Sequence, residues 1–168
     1  IPALIASPYF NIVGLFFRSH RPKLVDQFKM YTIYNDYSEG LADSRVDCVY
    51  ISSPNKYHFT HSYEALKHNK HVICEKPLAS RYDQVAKLIK LSQVVEKCIF
   101  EAFMFEHHQQ FIELKSLLYA QKVGEVLTWT SRFGFPHLKV DDIRYKKYLD
   151  GGAFFDCACY LIKAAHLI

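Results

Sequence analysis

This chain has no long run of charge of a single sign. Its 21 Lys and Arg residues are scattered among 17 Asp and Glu, leaving a formal net charge of +4. The concentrated basic surface that grips DNA or RNA is therefore missing, and nucleic acid is not an expected partner. Metal-ligand spacing is missing too. Cys157-x-Cys159 lacks the two-residue gap of a zinc or redox pair and has no second pair to complete four ligands. The nine histidines show no His-x-x-x-His, and His107 and His108 are neighbours, which on a helix point about 100° apart. No metal is expected. The five cysteines are odd in number, and Cys48, Cys74 and Cys98 sit in apolar, strand-like runs where Cys acts as a small buried hydrophobe. That pattern suits a reducing compartment, and a cytoplasmic location is expected. The first 17 residues carry no charge, but Pro2, Pro8 and Asn11 interrupt them. They also fall short of the ~20 residues of a membrane span, with no basic segment ahead, so a membrane is not an expected partner. Repeats, low-complexity stretches and flexible linkers are absent.

What is present is enough apolar material for a real core: half of the 168 residues are hydrophobic. Ile1 to Ser7 reads as the last turns of a helix ending before Pro8, and Ile12 to Phe17 as a buried parallel strand. Short helical pieces are expected over Pro22 to Lys29 and Asp36 to Leu41. Val46 to Ile51 is a second buried strand that stops at the turn residues Ser52-Ser53-Pro54-Asn55. A helix over Thr60 to His68 leads to the apolar run His71 to Cys74. Ser80 then suits an N-cap, with Asp83 three residues on and an apolar helix face from Val85 to Val95. Cys98 to Phe103 is a further strand. Alternating strands and helices of this kind imply a doubly wound, Rossmann-like α/β sheet.

The pattern changes after Phe103. Phe111, Leu114, Leu117 and Leu118 recur at helical spacing over Gln109 to Tyr119. From Glu125 to Phe135, Leu127, Trp129, Ser131, Phe133 and Phe135 alternate with Thr128, Thr130 and Arg132, the period of a half-buried strand in an antiparallel sheet. Two partial domains are expected, 1–103 with the parallel sheet and 104–168 with α+β character.

Two places carry polar groups that need an explanation. Glu75-Lys76-Pro77 stops the strand that begins at His71, because Pro has no N–H for the ladder. A Lys is thereby fixed at the carboxyl end of a strand, where open α/β sheets bind ligands; a solvated turn is the alternative. Asp156 and Tyr160, four apart on an apolar helix, share a face. Buried, each needs a partner, and a capping Asp with a core Tyr is the plainer account.

Taken in order, Val46 to Ile51 with Ser53-Pro54-Asn55-Lys56-Tyr57-His58, Lys70 to Ala79, Glu101-Ala102-Phe103-Met104, Gly124-Glu125-Val126, Asp142-Ile143-Arg144, Gly151 to Asp156 and Tyr160 form a set. This set resembles the glucose-fructose oxidoreductase and inositol dehydrogenase family, which pairs a nucleotide-binding domain with an antiparallel-sheet substrate domain. The likeness is nearest to its Tyr-containing subgroup of nucleotide-hexose 3-ketoreductases and NADP-dependent sugar and dihydrodiol dehydrogenases.

The resemblance implies Lys76, Asp156 and Tyr160 as catalytic groups, with Lys76, Arg144 and Tyr160 meeting a sugar or nucleotide-sugar substrate. It implies Ser53, Pro54, Asn55, His58, Glu75 and Lys76 around the cofactor, with Asn55 and His58 beside the nicotinamide. Arg18 would meet the 2′-phosphate of NADP, and NAD is the alternative cofactor. Glu101, Met104, His107 and His108 are further candidates for the substrate pocket, and the full-length form is expected to be a homo-oligomer. An ammonium beside Tyr160 is expected to lower its pKa. The sequence departs from the family in having no Gly-x-Gly-x-x-Gly, the turn that holds the pyrophosphate. Members also run to roughly twice this length, so the chain reads as lacking the first strand of its sheet and much of its second domain. Glu106, Gln109 and Phe17 replace residues frequent in relatives. A non-catalytic relative that senses a dinucleotide or binds a partner, or an inactive fragment, is the competing reading.

Overall fold

A computed structural model describes residues 2–19 and 22–168 of the chain. Pro2 and Pro22 each stand first in a helix, where the missing N–H has no partner to lose; they open α1 (Pro2–Ala6) and α2 (Pro22–Gln27). Between them runs β1 (Gly14–Phe16), paired in parallel with β2 (Thr32–Tyr34), Gly14 opposite Thr32 and Phe16 opposite Tyr34. Gly14 is required by this pairing, since a Cβ there would sit 2.7 Å from the Thr32 carbonyl oxygen and 2.5 Å from the Tyr34 ring. β2 is absent from the sequence reading because three residues are too few to show a period. Asp36 caps α3 (Tyr37–Ala42) by accepting from the Ser38 N–H at 2.6 Å, and Glu39 reaches back to accept from the Asn35 N–H at 2.9 Å. Two orphan amides of the helix start are satisfied reciprocally.

The main sheet is β3 (Cys48–Ile51), β4 (His71–Glu75) and β5 (Ile99–Ala102), all parallel and in that spatial order. Its crossovers are α4 (His58–Lys67) and α5 (Tyr82–Val94). Parallel neighbours need such crossovers, because a tight turn cannot return the chain in the same direction. Val72 and Cys74 of β4 point to one face and are buried there, while His71, Ile73 and Glu75 on the other face are only partly covered. The core is correspondingly one-sided: Ala65 and Leu66 of α4 and Leu88 of α5 close over Ile51, Val72 and Cys74, with Leu41 and Leu78 at the margins. The expectation of strands buried on both faces is thus corrected for β1 and β3, whose residues are mostly half-buried. Among the described residues no strand joins the two sheets, so β1 and β3 each have one edge without a strand partner.

Two further expectations change. α5 begins at Tyr82 with Arg81 in the cap position, and Ser80 donates its hydroxyl to Asp150 instead of capping. Residues 125–135, expected as an antiparallel strand, form no ladder with any described residue and are largely exposed, the large hydrophobic ones from 40 % at Trp129 to 85 % at Leu127. Alternation makes a segment able to join a sheet, but a ladder needs a neighbouring strand, and none lies alongside among the described residues. α6 (Gln109–Tyr119) has the bounds read from its periodicity. The chain then coils through short 3₁₀ turns at Ile143–Tyr145 and Lys147–Leu149 and one π-helical turn, Phe154–Ala158, into α7 (Cys159–His166). Among the described residues no helix is long and apolar enough to cross a membrane.

Replacing the fully buried Leu66 by Ala is expected to lower the unfolding free energy by about 2–5 kcal/mol. The same change at Ile89, which is 46 % exposed on the outer face of α5, is expected to lower it by no more than about 1 kcal/mol. Urea unfolding followed by far-UV circular dichroism reads both.

Candidate active site

β4 ends where Pro77 removes the next ladder donor, which leaves Lys76 just beyond the sheet edge; the Lys76–Pro77 peptide is cis. Its side chain is only 10 % exposed. The ammonium donates to the Asp156 carboxylate, Oδ1 at 3.0 Å, and to the Asp156 carbonyl oxygen at 2.8 Å. It also lies 4.6 Å from the centre of the Tyr160 ring, over its face. Two groups that lie 80 and more positions further along the chain therefore meet around the Lys76 nitrogen. The π-helical turn carries Asp156 and the first turn of α7 carries Tyr160, so one continuous helical segment delivers both to Lys76. Such π turns recur at functional sites.

The second carboxylate oxygen of Asp156 is also in use. Arg144 Nε donates to Oδ2 at 2.7 Å, and Arg144 Nη1 donates to Asp142 Oδ1 at 3.2 Å. Asp142 in turn accepts from the Arg144 backbone N–H at 2.9 Å, capping the turn that carries the arginine. Arg144 additionally sits over the Phe135 ring, 5.6 Å from its centre. Charges alternate along Asp142, Arg144, Asp156 and Lys76, and the face of Tyr160 ends the series.

Tyr160 is held by rings: Phe103 at 5.7 Å, Phe105 at 5.9 Å and Phe133 at 5.4 Å between centroids. Burial raises its pKa above the ordinary 10.0; Lys76 pulls the other way, and Cys159, Glu75 and Asp156 add to the rise. Lys76 thus acts in the expected direction, but the expected net lowering is overturned. The ammonium sits on the ring face and is already neutralised by Asp156, so desolvation of the phenolate outweighs it.

The other expected site residues are placed as follows. Asn55 starts a 3₁₀ turn after β3 and donates Nδ2–H to the Asp150 carbonyl oxygen at 2.9 Å. Pro54 accepts from the Tyr57 N–H at 2.9 Å, closing that turn. Ser53 Oγ lies 3.2 Å from His61 Nδ1. His58, expected beside the nicotinamide, is instead buried, its two ring nitrogens each 2.6 Å from a carbonyl oxygen, of Pro77 and of Ser53. It acts as a strut between the loops that follow β3 and β4. Glu75 accepts from the Tyr50 hydroxyl. Arg18 lies over the Tyr57 ring at 4.6 Å with Nη1 3.4 Å from its hydroxyl. Glu101 accepts from the Leu78 N–H at 2.7 Å, a second support beneath the Lys76 loop. His108 accepts from the Gln110 N–H at 3.2 Å as the cap of α6, His107 lies beside Phe100, and Met104 is exposed. Asp142, Asp150 and the rings around Tyr160 were not legible as site residues. Asp142 and Phe103 stood inside the motif set without a role of their own, and Asp150, next to Gly151-Gly152, carried a signal only as a turn position.

Residues 1–103 match a family described as "Oxidoreductase family, NAD-binding Rossmann fold", and residues 111–168 match the "GFO/IDH/MocA C-terminal domain". The chain is 31 % identical, over all of its length and 49 % of the relative's, to a dTDP-3,4-didehydro-2,6-dideoxy-alpha-D-glucose 3-reductase of Streptomyces violaceoruber. It is 35 % identical to D-xylose 1-dehydrogenase (NADP(+)) 2 of Haloferax volcanii, over 86 % of this chain and 44 % of that one. A 3-ketoreductase from Actinomadura kijaniata, solved with NADP and TDP-benzene, superposes with a TM-score of 0.90 at 30 % identity, covering 99 % of this chain and 51 % of its own. The chain thus spans about half the length of the curated relatives it matches. On these matches, the first of which alone takes in more than half of its residues, the chain belongs to the GFO/IDH/MocA oxidoreductase family.

Proposed function

We propose that the protein carrying this chain is an NADP-dependent oxidoreductase that interconverts a keto group and a secondary alcohol on a sugar or nucleotide-linked sugar. The observation that carries this reading is the meeting of Lys76, Asp156 and Tyr160 at the carboxyl end of β4. Residues 1–103 form the dinucleotide side in this reading, and 104–168 contribute to the substrate side.

The residues present fit part of a dinucleotide. Arg18 offers a planar cation over the Tyr57 ring beyond the end of β1, and such a fork suits the 2′-phosphate that distinguishes NADP. Ser53, Pro54, Asn55 and Glu75 lie at the ends of β3 and β4, the ligand side of a parallel sheet. The pyrophosphate is assigned to no residue here, because the 168 residues contain no Gly-x-Gly-x-x-Gly. When bound, the nicotinamide supplies or accepts the hydride.

The remaining chemistry belongs to side chains of this chain. Reduction of a ketone puts negative charge on oxygen, which needs a proton donor and a fixed cation. Tyr160, with its pKa raised by burial, keeps its proton at neutral pH and serves as the donor. Lys76 is the cation, and its ion pair with Asp156 holds it at the substrate end of the strand. Arg144 holds the far side of that carboxylate and is assigned to the substrate side in this reading. A proton-bearing Tyr favours the reductive direction near neutral pH.

Lys76→Ala and Tyr160→Phe are each expected to lower kcat by about 10²–10⁴-fold. Tyr160→Phe should leave NADPH affinity, read by nicotinamide fluorescence, within about twofold of the parent. The substrate panel is a dTDP-linked keto-sugar assayed with NADPH and D-xylose assayed with NADP+. NADPH binding with no turnover of any member supports the dinucleotide-sensing alternative.

The pH profile tests the proton donor separately. Reductive kcat is expected to stay level from about pH 8 to the ordinary phenol value of 10.0 and to fall above it, as the phenol ionises. Oxidation, which needs the phenolate, is expected to rise over the same range. Tyr160→Phe should remove both limbs.

A further inference from the structure

Asp150 plays no part in the chemistry above, yet it ties together three separate loops. Its backbone is left-handed, φ 56° and ψ 37°, a conformation that Asp and Asn adopt more readily than other side-chain-bearing residues. That turn aims its carbonyl oxygen at the loop after β3, where Asn55 Nδ2 donates to it at 2.9 Å. Its carboxylate faces the loop after β4, where Ser80 Oγ donates to Oδ2 at 2.7 Å. The next residue is packed without space for a side chain: a Cβ on Gly151 would stand 2.5 Å from the Ile143 carbonyl oxygen and 2.7 Å from that of Arg144. The Gly151 N–H donates to the Lys146 carbonyl oxygen at 3.2 Å, and Leu149 is buried beside the turn. Residues 143–151 are therefore a tight knot that includes Arg144, pinned at Asp150, six positions before Asp156.

We infer that Asp150 is a positioning residue that docks the 143–156 segment onto the loops after β3 and β4, so that Asp156 and Arg144 stand ready around Lys76 before substrate arrives. The inference rests on the proposed oxidoreductase reading and deepens it. Asp150 joins the loop assigned to the cofactor, through Asn55, to the segment assigned to the substrate, through Arg144 and Asp156. Without its anchor the segment would spend part of its time undocked, and substrate would have to select the docked fraction. Apparent affinity falls in proportion to that fraction, while turnover at saturation is retained.

The test uses Ser80→Ala, Asp150→Ala and Asp150→Asn in the protein that carries this chain. The last keeps both the left-handed turn and an oxygen to accept from Ser80. Ser80→Ala, losing one hydrogen bond, is expected to raise KM for the sugar turned over in the panel above by about fivefold, with kcat within about twofold. Asp150→Ala should exceed it and Asp150→Asn should restore KM to near the parent value. Independently of turnover, hydrogen exchange at the Gly151 and Asp156 amides should quicken in Ser80→Ala and Asp150→Ala but not in Asp150→Asn. Unchanged exchange in both alanine variants overturns the inference, as does a loss confined to kcat. A parent protein that binds NADPH but turns over no sugar overturns the oxidoreductase reading instead, and the exchange result then stands alone as evidence of docking.

Discussion

An ammonium group taken nine-tenths out of water has to be compensated where it stands, and the surroundings of Lys76 follow from that demand. Desolvating such a charge costs several kcal/mol, which a single well-aligned carboxylate with its remaining lone pairs satisfied can offset. Asp156 meets the condition with its side chain and its own carbonyl oxygen. Its other carboxylate oxygen is satisfied by Arg144, whose charge is balanced by Asp142. The fixed cation thus requires the helical segment at the end of the chain to approach the sheet, and with it comes Tyr160.

The same demand explains why so much of the loop after β4 is braced. Glu101 holds the Leu78 amide, and the His58 ring spans from Ser53 to Pro77. Neither group has to touch a ligand to matter. Catalytic geometry tolerates displacements well below an ångström, and these buried polar contacts limit how far Lys76 can drift. The histidine shows the distinction well, because the resemblance implied a contact with cofactor and its burial makes it a support.

Local rules made some of this legible and long-range contacts hid the rest. Glu75-Lys76-Pro77 could be placed at a strand end because Pro removes a donor, and α6 could be bounded because its apolar residues keep a helical period. Asp156 and Tyr160 stood out as polar groups in an apolar helix. Ser80 looked like a helix cap by local spacing, but its hydroxyl is engaged by Asp150, 70 positions away. The alternation of residues 125–135 was correctly a strand-like period, yet no period names the partner strand. The sign of the Tyr160 shift was unreadable for a related reason: spacing shows that a Lys and a Tyr meet, not whether the ammonium meets the hydroxyl or the ring.

The two parallel sheets share no hydrogen bond among the described residues, but a column of rings passes between them. Phe16 at the end of β1 leans on Tyr37, Tyr37 on His61, and His61 on Tyr57, which carries Arg18 on its outer face. The Tyr37 hydroxyl, donating to the His61 carbonyl oxygen at 2.8 Å, fastens the column to α4. Tyr37 stands in the middle of this column and also makes its hydroxyl tether, so the seat of Arg18 over Tyr57 rests on packing that begins in α3.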